Sequence, residues 1–161
     1  MKQIILIFFC VFLTISCNEK KAKVLENENY KKYDTLRITT RSQKLTISKF
    51  SDSADYVNII YDSKVNKIPP QYNVVKIDKR KIYISKPDRD SLSKFIYLST
   101  TNPKFTNIHA TDYVGNVELN FERHNMKLTT EYFSVGDWTE VSENTRKIYL
   151  LLKPKIEIST Q

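Results

Sequence analysis

The chain has 161 residues, 26 Lys and Arg against 18 Asp and Glu, a formal net charge of +8 and two cysteines. That length supports one domain with its own hydrophobic core, and two cysteines exclude a disulfide-built scaffold. Only Gly115 and Gly136 are present, which excludes the glycine-rich loops that cradle phosphates in nucleotide-binding folds.

The N-terminus reads Met1-Lys2-Gln3, followed by an unbroken apolar run from Ile4 to Leu13, then Thr14-Ile15-Ser16-Cys17 and the polar Asn18-Glu19-Lys20-Lys21. A basic start, a short apolar stretch and a small residue ahead of a polar segment have the form of a secretory signal. The run is too short to span a bilayer, which takes roughly 20 apolar residues. An A-x-A-like cleavage site is missing, since the first Ala after the run is Ala22. Ser16 stands immediately before Cys17 instead. This segment resembles the lipobox of bacterial lipoproteins, whose Cys takes a diacylglyceryl thioether and becomes the first residue of the mature chain. The family favours Leu three residues before that Cys; here Thr14 holds the position and Leu13 precedes it. The resemblance implies a signal over residues 1–16 and lipidation of Cys17. Cys10 would be removed with the signal, leaving Cys17 as the only thiol. The remaining 145 residues carry 25 basic and 18 acidic side chains, a net charge of +7. The family's sorting rule, in which Asp after the Cys retains the protein at the inner membrane, implies with Asn18 an outer-membrane location.

Residues 17–32 are almost wholly polar, with Val24 and Leu25 the exceptions, and cannot bury enough apolar surface to offset the entropy of ordering. They are expected to form a flexible tether, leaving residues 33–161 as a single globular domain. From Thr35 the pattern has period two. Leu36 and Ile38 alternate with Arg37 and Thr39, and Leu45 and Ile47 with Thr46 and Ser48. Val57, Ile59 and Tyr61 repeat the signal. Ile68-Pro69-Pro70 interrupts it. Val75-Lys76-Ile77 and Ile82-Tyr83-Ile84 flank Asp78-Lys79-Arg80-Lys81, which predicts a hairpin there.

At Ser85 the period changes. Ser85 with Asp88 three residues on, and Pro87 between, predicts a helix start. Leu92, Phe95, Ile96 and Ser99 share its apolar stripe, and Thr101-Asn102-Pro103 stops it. Val117, Leu119 and Phe121 alternate with Glu118, Asn120 and Glu122. Arg123-His124-Asn125 turns the chain into a partner strand over Lys127 to Phe133. Asp137-x-x-Glu140 has the spacing of a capping box. A second helix is expected there through Trp138, Val141, Thr145, Ile148 and Leu152, closed by Pro154. The elements predict an α+β domain, an antiparallel sheet built from hairpins with about two helices on one face. An all-β sandwich is the alternative if the Leu92 and Ile148 segments are strands.

Candidates for chemistry are few. His109 and His124 are the only histidines, fifteen residues apart and outside any zinc-ligand spacing. Ser91-Leu92-Ser93-Lys94 matches S-x-x-K, but the S-D-N and K-T-G elements that complete that acyl-transfer signature are absent. Glu118 and Glu122 fall on the polar side of a strand and Asp88 and Asp90 in a first helical turn, neither being a carboxylate pair set across a cleft. Among the ten tyrosines, Tyr56, Tyr72, Tyr83, Tyr97, Tyr113 and Tyr132 are the ones to consider outside the core. Rigid rings give contact area at low entropic cost. His109, Asp112 and Tyr113, in the segment running up to Gly115, form the candidate binding loop. The expectation is a non-enzymatic binding module held at a membrane through its lipid, without cofactor or metal, with a protein rather than a nucleic acid as its further partner. A periplasmic inhibitor or immunity protein is the related alternative. A small hydrolase with an unfamiliar site is the alternative of a different class.

Overall fold

A computed structural model describes residues 29–62, 72–105, 116–133 and 135–160. The chain divides into two units, Met1–Lys32 and Tyr33–Gln161. In the first, the described residues Asn29–Lys32 form one 3-10 turn at the end of the expected tether. Cys17 and the rest of the expected signal and tether lie outside the described residues.

In the second unit the described strands are β1 (Thr35–Thr39), β2 (Gln43–Ser48), β3 (Ser53–Asp62), β4 (Asn73–Tyr83), β5 (Asn116–Arg123) and β6 (Met126–Phe133). They form one antiparallel sheet in the order β4-β3-β2-β1-β5-β6. Two helices, α1 (Lys86–Thr101) and α2 (Glu143–Leu152), cover one face of it. The domain is α+β. The sandwich alternative fails because both of the segments in question are helical.

The sheet is one-sided because its strands alternate. Leu36, Ile38, Leu45, Ile47, Leu119 and Phe121 all point to the helical side and are at most 1 % exposed. Burying such side chains is worth roughly 1.5–3 kcal/mol each. From α1, Leu92 and Ile96 enter this core, and the Tyr97 ring meets Phe121 edge-on at 5.1 Å. Phe95, expected on the same stripe, is half-buried, and Arg89 and Ser93 are buried instead. Arg89 stays charged inside because its guanidinium donates to the Ser51 and Ile84 carbonyls and to the Asp52 carboxylate. It ties the β2–β3 turn to the start of α1.

The C-terminal residues close the other end of the core. Ile156 and Ile158 are buried. The Tyr56 hydroxyl donates to the Glu157 carbonyl, and the Trp138 indole N–H to that of Ser159 at 2.7 Å. The Ser159 amide donates to the Gln43 side chain at 2.9 Å.

Three expectations are corrected. Asp78–Lys81 is no turn: β4 runs straight through it in register with β3. On β3 the core side chains are Ala54 and Tyr56, so Val57, Ile59 and Tyr61 lie on the opposite, half-buried side. Asp137 caps only the 3-10 turn Trp138–Glu140, and α2 starts later, at a box made by Ser142 and Thr145.

Candidate functional site

On β1, β5 and β6 the side chains on the face away from the helices are polar and tied to one another. Arg37 meets Glu122 at 2.7 Å. Asn120 donates to Glu118 at 2.7 Å and accepts from Thr129 at 2.7 Å, and Lys127 reaches Glu118 at 3.4 Å. The Asn120 hydrogen bond, with Lys127 behind it, holds the Glu118 carboxyl below its ordinary range, against the opposing effect of partial burial. Glu118 is therefore a paired anion, unsuited to donating a proton near neutral pH, and Glu122 is engaged by Arg37.

The edge at β4 differs. Pairing of β3 with β2 ends at Asn58, opposite Gln43, while pairing with β4 continues to Asp62, opposite Asn73. The last turn-ward part of β3 and the first part of β4 thus extend past β2 as a two-stranded arm. The pairing slips by one residue between Ile60 and Tyr61, where Val75 is the extra residue on β4. The arm is braced on the β1–β2 turn. The Ile59 amide donates to the Ser42 carbonyl at 2.7 Å. The Arg41 guanidinium lies over the Tyr72 ring at 4.1 Å, and Tyr61 and Tyr72 meet edge to face at 6.4 Å.

No residue of β4 is buried. Val75, Ile77 and Tyr83 are 65 %, 51 % and 68 % exposed, and Val74, Tyr72 and Ile60 are also largely open. Interspersed with them are Lys76, Lys79, Arg80 and Lys81. Isolated exposed apolar residues are ordinary, but a run of them along one strand edge makes that edge a candidate contact surface.

A concavity of about 290 Å³ lies where the end of α1 faces the start of α2, lined by Leu98, Asn102, Lys104, Glu143 and Asn144. Its one carboxylate, Glu143, is bonded to Lys147 at 2.6 Å, which with Lys104 nearby keeps it ionised. It holds no nucleophile and base together.

His109, Asp112 and Tyr113 fall within 106–115, outside the described residues. Of the remaining sequence candidates, His124 occupies the β5–β6 turn with a positive φ of 49°, a conformation that His tolerates better than bulkier residues. Its imidazole is 3.3 Å from Asp34 and almost fully solvated. Ser91 and Lys94 are half-exposed on successive turns of α1. Asp88 accepts from the Ser85 hydroxyl and pairs with Lys155 at 3.0 Å, while Asp90 pairs with Lys86; both acids serve the helix start. Tyr56 and Tyr132 are core residues, Tyr97 is half-buried, and Tyr72 and Tyr83 are exposed. Among the described residues no three His, Cys, Asp or Glu side chains come together as metal ligands, and no helix is long and apolar enough to cross a membrane.

The β4 edge was hidden in the sequence by the expected hairpin. The signal that reveals it is the absence of turn chemistry. Asp78-Lys79-Arg80-Lys81 supplies no Gly or Asn for the positive φ angles of a tight hairpin. Comparison of the chain with protein-family models, with curated proteins and with solved structures finds no match.

Proposed function

We propose that this chain is an exported lipoprotein, anchored to the outer membrane through Cys17, whose domain works by binding a protein rather than by catalysis. The observation that carries the binding half is the exposed apolar side of β4, set among cations on a braced sheet edge. Water is a poor solvent for Val75, Ile77 and Tyr83, and covering them with a partner returns the free energy that folding leaves unused. The paired state of Glu118, Glu122, Asp88 and Asp90 supports the same reading, since each acid already serves a cation or a helix start. The anchoring half rests on the run Ile4–Leu13 and on Ser16-Cys17.

Membrane fractionation of cells producing the wild-type chain or Cys17→Ser tests the anchor. Wild type should sediment with outer membranes and resist extraction by high salt, and Cys17→Ser should lose that outer-membrane retention. Equal retention of the two would overturn the lipid anchor.

A further inference from the structure

We propose that β4 is a receptor strand: its free edge takes up an extended acidic segment of a partner protein as a seventh strand of the sheet. The inference deepens the reading of the domain as a binding module and rests on it.

Three features of β4 converge on this. The strand is the terminal one in the sheet order, so among the described residues nothing pairs with its outer side. From Lys76 to Tyr83, beyond the bulge at Val75, this edge strand leaves alternate N–H and C=O groups directed outward in one phase. Both of its side-chain faces are open, so a neighbouring strand would find side-chain partners on each.

Charge says which strand fits. Lys76, Lys79, Arg80 and Lys81 stand against a single acid, Asp78. The facing strand offers two of them no acid directly opposite: Lys79 lies opposite Val57 and Lys76 opposite Ile60. Arg80 lies over the Tyr56 ring at 5.1 Å, and Lys81 meets Asp55 at 3.5 Å with both side chains mostly in water. A second copy of this chain would bring the same excess of cations to the same edge, and like charges across paired strands repel. Lysines on an edge commonly serve that purpose. Here they leave one class of strand favoured: acids opposite Lys76, Lys79, Arg80 and Lys81, and apolar residues opposite Val75, Ile77 and Ile82. Main-chain hydrogen bonds along the edge would supply affinity and the charges would set register.

The probe is a fluorescein-labelled peptide, Val-Glu-Glu-Glu-Thr-Val-Glu-Val, which meets Ile82 back to Val75 in antiparallel register. Anisotropy is measured with the full chain purified in detergent micelles. Saturable binding is expected, absent for the peptide with Lys in place of Glu. Two further peptides carry N-methyl groups on every second residue, one in each phase. The phase that faces β4 should abolish binding and the other should keep it, an asymmetry that charge attraction alone does not produce. Lys79→Glu with Lys81→Glu, both exposed positions, should weaken binding about tenfold or more, with an unchanged melting temperature confirming the fold. Absence of binding would overturn the inference. So would binding insensitive to both the methylation phase and the substitutions, although that result would keep a binding module with its site elsewhere. Dimerisation of the free chain in sedimentation velocity that Lys79→Glu with Lys81→Glu alters would contradict the proposal by making a second copy the occupant. Binding confined to anionic phosphatidylglycerol vesicles would contradict it in favour of a lipid surface.

Discussion

Polar side chains at three positions decide where the helical segments begin. Ser85 accepts from the Asp88 amide at 3.3 Å, Asp137 from Thr139 at 2.7 Å, and Ser142 from Thr145 at 3.1 Å. Ser85 was legible because Pro87 and Asp88 follow it. Ser142 was not, because its box partner is the hydroxyl of Thr145 rather than a carboxylate, while Asp137-x-x-Glu140 carries the more familiar spacing. Ser142→Ala should cost about 1 kcal/mol in urea unfolding. The Asp88 carboxyl is held below its ordinary 3.8 by the Ser85 hydroxyl and then by Lys155, against a smaller opposing effect of burial. A group depressed on folding stabilises fully above its unfolded value and loses that contribution as pH falls through the folded one. The melting temperature of wild type should therefore approach that of Asp88→Asn as pH falls from about 4 downward, and exceed it near neutrality.

Among the elements, the strands with clean alternation were readable and the half-wet ones were not. Leu36, Ile38, Leu45, Ile47, Leu119 and Phe121 announce one buried face, and all six are buried. On β3 the sequence offers two apolar series, Ala54 with Tyr56 and Val57 with Ile59 and Tyr61. The larger series invites the core, yet the register with β2 sets Tyr56 opposite Leu45 and sends the other series outward. A one-residue shift exchanges the faces of a strand, and only the pairing decides it. The candidate edge was missed for a related reason: charges at Asp78–Lys81 look like a turn when the missing Gly or Asn is overlooked. Ile148 is fully buried in α2, so Ile148→Asp should abolish cooperative thermal unfolding by putting an unpaired charge in the core. A soluble variant melting at the wild-type temperature by near-ultraviolet circular dichroism would contradict the placement of α2.

At the scale of the molecule, the domain is closed by its own C-terminal residues and, in the account given, tied to a membrane by its N-terminal ones. Deleting residues 156–161 would remove Ile156 and Ile158 from the core and the acceptors of Tyr56 and Trp138. Stability should fall by at least about 3 kcal/mol in urea unfolding followed by Trp138 fluorescence. Among the described residues, the helices and the C-terminal segment leave the β4 edge uncovered. The proposed anchor is legible only as a pattern of residue types, because lipidation would depend on chemistry at the Cys17 sulfur and not on packing. Intact-mass spectrometry of the chain recovered from membranes tests it most directly. The expected species lacks residues 1–16 and carries a diacylglyceryl adduct on Cys17. A chain that retains Met1 to Ser16, or begins elsewhere with Cys17 unmodified, would contradict it.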